Sequence, residues 1–136
     1  TPKPSSAASD VYKRQSLYTI PFATEVFDQN ADFNNSNYTF TAPVTGKYFI
    51  SVTATMGGLP TAAAYFQYAV QTSNRTYNVT TDPDAFDSSP VYLGFNFNVL
   101  ADMDANDTSI VKLLVEGSSN TTDIYPQTYL SIHLVC

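Results

Sequence analysis

Asp102, Asp104, Asn106 and Asp107 place four oxygen-bearing side chains within six residues, the nearest thing in this chain to a metal-ligand motif. A hard cation such as Ca²⁺ takes several oxygen ligands, and D-x-D-x-N is the first half of an EF-hand loop. The second half departs from that pattern. Asp107 occupies the sixth position, where the loop needs glycine, and Leu113 occupies the twelfth, where a bidentate glutamate belongs. The flanks alternate like strands rather than helices. The segment therefore reads as a solvated turn, with calcium held by Asp102, Asp104 and Asp107 as the alternative and no other cofactor expected.

His133 is the single histidine. General-base work would need a nucleophile or carboxylate beside it, and no Ser or Cys sits in a recognisable nucleophile elbow. It reads as a strand residue at a surface or interface, so no enzyme activity is expected. Cys136 is the lone cysteine and has no intrachain partner. Six N-x-S/T sequons begin at Asn34, Asn37, Asn74, Asn78, Asn106 and Asn120. They are glycan acceptors if the protein is secreted, and products of chance in a chain this rich in Asn and Thr.

The balance of charge narrows the partners. Only 13% of residues are charged, against a formal net charge of −6. Lys3, Lys13 and Arg14 lie within residues 1–15 beside one acid, Asp10, so the rest holds three cations against eleven acids, a net −8. Such a chain lacks the basic stripe that nucleic acid requires. No apolar run reaches the length of a membrane span. A surface built from neutral polar residues is common on extracellular and virion proteins, and that is the expected location.

The elements that must position these residues are strands. Tyr and Phe number 10 and 9 in 136 residues, alongside abundant Thr and Val and few helix formers. In the run TFTAPVTGKYFISV, Tyr38, Phe40 and Ala42 alternate with Thr39 and Thr41, the period of a half-buried strand. Pro43 ends that strand for want of an N–H, and Gly46 is expected to supply the positive φ of a tight reversal. Tyr48, Ile50 and Val52 then lead a second strand.

Similar alternation predicts strands over 17–27, 38–42, 47–55, 63–71, 75–80, 91–100, 110–116 and 127–135. Polar turns fall at 28–37, 82–90, 102–107 and 117–122. About eight strands in two antiparallel sheets make an all-β sandwich, with a jelly roll as the expected wiring.

Residues 5–15, SSAASDVYKRQ, resemble the in-frame translation of the adapter and mosaic end used in tagmentation sequencing libraries. The alternative is a natural disordered basic tail. Under the first reading the chain comes from environmental (metagenomic) or shotgun sequence. Residues 1–15 are therefore set apart from a domain spanning 16–136.

Phe33, Phe40-Thr41-Ala42-Pro43-Val44, Gly46-Lys47-Tyr48-Phe49 and Thr128-Tyr129-Leu130-Ser131 together resemble the C1q-like globular head of the C1q and tumour necrosis factor superfamily. The likeness runs over residues 22–135. Ile50 stands where that family often has another aromatic, and Ile132 where it usually has glycine. The resemblance implies a ten-strand jelly roll that packs as a homotrimer, with calcium near the apex in some relatives. It places Leu130, Ile132 and Leu134 in the core and turns Tyr129, Ser131 and His133 toward neighbouring subunits. Phe49 and Leu100 join Tyr129 in the expected seam.

Two settings follow for a non-enzymatic head of this kind. One is the end of a phage tail fibre or surface fibre; the other is a secreted, complement-like or cytokine-like ligand that meets a protein or glycan receptor. Residues 1–15 lack the apolar surface to join the fold. Deleting them should leave the melting temperature unchanged, and a loss of several degrees would show that they dock.

Overall fold

The computed structural model describes residues 18–88, 90–117 and 122–136. The expectation for residues 1–15 and the sequon at Asn120 lie outside them. In chain order the strands are β1 (Tyr18–Thr19), β2 (Phe33–Asn34), β3 (Thr39–Thr41), β4 (Gly46–Gly57) and β5 (Tyr65–Thr72). After these come β6 (Thr76–Thr81), β7 (Leu93–Met103), β8 (Thr108–Glu116), β9 (Asp123–Ile124) and β10 (Tyr129–Leu134). A 3₁₀ turn, Pro83–Ala85, opens the loop after β6, with the side chain of the preceding Asp82 accepting from the Asp84 N–H.

β4 sets the geometry of the smaller sheet. Tyr48, Ile50, Val52, Ala54 and Met56 are each at most 2% exposed, while the residues between them face outward. The period of two makes one face core and the other surface. β7 pairs antiparallel along its whole length, from Gly46 opposite Met103 to Met56 opposite Leu93. β10 and β9 pair on the other side.

The larger sheet runs β2-β3-β8-β5-β6, with β1 also on β8. The chain changes sheet between β3 and β4, β4 and β5, β6 and β7, β7 and β8, and β8 and β9, whereas β2–β3 and β5–β6 are local hairpins. This is a jelly-roll sandwich of two antiparallel sheets. Phe66, Tyr68, Val70, Val111, Leu113 and Val115 meet the buried face of β4 in one core. Tyr68 stacks on Phe95 across the sandwich, ring centroids 3.6 Å apart. Burial pushes the Tyr68 phenol up to about 12. Thr81 is near enough to oppose that rise slightly, yet the phenol oxygen makes no hydrogen bond of good geometry among the described residues.

Several expectations change. Residues 43–46 are a crossing between sheets rather than a hairpin. The crossing is pinned by the Tyr48 hydroxyl, which donates to the Val44 carbonyl at 2.6 Å and accepts from the Val44 N–H at 3.3 Å. Pro43 lies in the bend, but Gly46 is the first residue of β4 and does not have positive φ. Its lack of a side chain serves close approach instead: a Cβ there would meet the Cys136 carbonyl oxygen at 2.6 Å and Leu134 Cδ1 at 2.7 Å. The Lys47 N–H donates to that same carbonyl at 2.7 Å.

Tyr38, expected in a strand, carries φ 60° in the turn before β3. The strand expected over 17–27 is described only as Tyr18–Thr19, and Phe33 lies in β2 rather than in loop. Leu134 is 47% exposed and so lies at the rim, not in the core.

Gly46→Val should destabilise the protein by about 1–3 kcal/mol through overpacking against the backbone. Unchanged thermal stability would show that residues 134–136 swing aside. Tyr68→Phe removes a buried hydroxyl with no partner, so denaturant titration should show stability equal to the parent or higher by about 1 kcal/mol. A clear loss would reveal a hydrogen bond at that oxygen.

Candidate functional site: the outer face of the four-stranded sheet

The register of β10, β4 and β7 arranges the outward side chains in rows. Phe49 stands between His133 and Leu100, Ser51 between Ser131 and Asn98, and Thr53 between Tyr129 and Asn96. The Phe49 and His133 rings lie 5.4 Å apart with planes tilted by 47°. Leu100 is 53% exposed and Tyr129 61% exposed, while Phe49 is half-buried. Of the four residues expected at a seam, three thus share one row, and Tyr129 stands two rows away on the same face. The intervening rows are neutral. The Thr53 hydroxyl and Asn96 Oδ1 are 2.7 Å apart in a bond the hydroxyl donates.

Three residues that sequence reasoning missed complete the far end of this face. Gly57 shares the outward parity of Phe49, and a Cβ there would meet the Tyr125 hydroxyl oxygen at 2.6 Å and the Val91 carbonyl oxygen at 2.5 Å. Glycine therefore lets Tyr125 lie against the sheet. Tyr92 packs on it, ring centroids 5.0 Å apart. Gly57's parity and Tyr92's place in the alternation predicted over 91–100 carried a signal, whereas Tyr125 lies between predicted strands, where no period points to a face.

The candidate calcium ligands go elsewhere. Asp102 belongs to β7, because Ala101 and Met103 continue the buried alternation of Phe97 and Val99. Its carboxylate pairs with Arg75 at 3.1 Å. Asp107 Oδ2 accepts from the Asp104 N–H and from Asn74 Nδ2, each at 2.9 Å, and so braces the turn. Among the described residues, no three acidic, His or Cys side chains gather where they could hold a metal ion.

A second surface feature is an open hollow of about 540 Å³ lined by residues 31–35, Thr41, Ala42, Pro43 and Asn106. Asp28 organises its rim. The carboxylate accepts the Phe33 N–H at 2.8 Å, the Asp32 N–H at 3.1 Å and the Asn30 N–H at 3.3 Å. The Phe33 bond foremost holds its pKa below the ordinary 3.8, against a slight opposing push from burial. The hollow is polar and unenclosed, and gathers no set of convergent groups.

No family model and no curated protein matches the chain. Among solved structures it is similar to the globular domain of zebrafish complement 1qA protein, at TM-score 0.60 and 15% identity over 90% of this chain and 93% of that one. The fold is therefore that of a C1q-like globular head, as the sequence motifs imply. A family 35 carbohydrate-binding module from an environmental isolate gives TM-score 0.40 at 15% identity, covering 90% of this chain and 91% of that one. Xyl-CBM35, solved with a disaccharide containing glucuronic acid, gives 0.37 at 12% identity over 89% and 86%. Likenesses that low carry no argument here.

The Asp28 arrangement predicts a pH dependence. The folded pKa lies below the unfolded 3.8, so its stabilisation is complete above about that pH and is lost as pH falls through the folded value. The stability gap between the parent and Asp28→Ala should therefore narrow in acid. A gap that stays constant from neutral pH to pH ~2 would contradict the linkage.

Proposed function

We propose that this chain is a non-catalytic, trimer-forming recognition head whose four-stranded sheet supplies the subunit seam. The supporting observation is the outer face itself. Its inner side already fills the core, yet Leu100 stands open beside Phe49 and His133, and Tyr129 stands open two rows away on the same face. Soluble monomers seldom leave such side chains together, and a subunit packed against them removes the apolar surface from water. Closed threefold symmetry buries the patch on each copy without leaving an end for further growth.

With the sheet face turned to neighbouring copies, the loops and the opposite sheet remain for an unidentified protein or glycan receptor. The head fits the tip of a phage tail fibre or surface fibre. It fits a secreted complement-like or cytokine-like ligand as well, and the exposed sequons favour that second setting. Sequence upstream separates them: a collagen-like G-X-Y run marks the ligand, a fibre or coiled stalk the tip.

Light scattering should give a particle three times the 14.9 kDa protomer. Tyr129→Asp places a charge in the seam and should dissociate it, or unfold protomers that depend on one another. A single-chain mass for the parent would overturn the proposal.

A further inference from the structure

The sequons among the described residues gather on one of the two sheets and its turns. Asn34 lies on β2 and Asn78 on β6, the strands at the two ends of the order β2-β3-β8-β5-β6. Asn37 and Asn106 lie in the turns before β3 and β8. All four are exposed, and none donates its side-chain amide to another described residue. Asn34 uses only its Oδ1, which accepts the Ser36 N–H at 2.9 Å. Asn74 differs, because its Nδ2 is held by Asp107 at 2.9 Å and by the Asp102 carbonyl at 3.2 Å.

The four-stranded sheet offers the contrast. Asn96 and Asn98 are both exposed on its outer face, spaced as a sequon on a strand must be, but the second residue has no hydroxyl. On β6 the same spacing, Asn78 and Thr80, is complete. Among the described residues the face rich in Asn, Ser and Thr thus carries no acceptor site, while the strands at the two ends of the other sheet's strand order each carry one. Open edges invite pairing with other chains, and a bulky hydrophilic group there blocks it.

We infer that Asn34, Asn37, Asn78 and Asn106 are N-glycosylation sites. They place sugars at the end strands and two turns of the six-stranded sheet and add none to the four-stranded face. In the transfer, Nδ2 loses a proton and bonds to the anomeric carbon of an oligosaccharide carried on a lipid diphosphate. The bond from that carbon to the diphosphate breaks, and the lipid diphosphate leaves. Asn74 remains free of sugar, since modification would cost it both hydrogen bonds.

The test is secretion of the chain from an insect-cell host, followed by peptide mass mapping after enzymatic deglycosylation in heavy-oxygen water. Each occupied Asn then appears as a labelled Asp. Labelled peptides at Asn34 and Asn78, with Asn74 unlabelled, are expected; unlabelled peptides at both edge sites in the secreted protein would overturn the assignment.

Asn98→Thr completes a sequon at Asn96 and serves as the second arm. It should add one glycan to the bare face and reduce the particle to a single chain. This inference depends on the seam only for the meaning of the bare face, and the two fail separately. A glycosylated Asn98→Thr protein that stays trimeric removes the seam and keeps the sugar sites. Unlabelled edge peptides in a trimer do the reverse.

Discussion

The register of β4 is the constraint on which the rest depends. Its inward residues, Tyr48 to Met56 by twos, form the four-stranded sheet's main contribution to the core, and its outward residues define the surface that neighbours would meet. A shift of one residue would exchange the two sets and expose five buried side chains. Contacts at both ends of the strand oppose that slip. Tyr48 ties the incoming crossing to Val44, and the Lys47 amide reaches the Cys136 carbonyl beside a glycine with no Cβ to interfere. At the other end Gly57 admits the Tyr125 ring. Both glycines act through close approach rather than through positive φ.

Much of this was legible because a half-buried strand writes its burial into every second residue. β4, β5, β7, β8 and β10 all declare themselves in that way. The wiring was less visible. Pro43 announces that a strand stops, but nothing local says whether the next strand joins the same sheet or the opposite one. Gly46 illustrates the same limit: its partner is Cys136, far along the chain, so a local reading defaults to turn geometry. β2 and β9 are two residues each, too short to show a period. Asp102 was readable in principle, since Ala101 and Met103 extend the buried row, yet the cluster of acids drew attention to a loop instead.

The candidate site divides similarly. The resemblance to a C1q-like head put Phe49, Leu100, Tyr129 and His133 at an outward seam, and the register brings three of them into one row. The aromatic pair at the opposite end depends on Tyr125, which lies between predicted strands and meets Tyr92 only through the fold. The picture that results separates surfaces by chemistry. One sheet face carries aromatic and aliphatic groups among neutral hydroxyls and amides; the other sheet and its turns carry the sequons and most of the polar loops.

The central claim is that copies of the chain cover the outer face of the four-stranded sheet. The chain has no tryptophan, so Tyr129→Trp introduces a single reporter on that face at little cost in shape. Its fluorescence should be blue-shifted at high protein concentration and move to the red on dilution as copies separate. Emission typical of a water-exposed indole, unchanged across concentrations, would contradict the account.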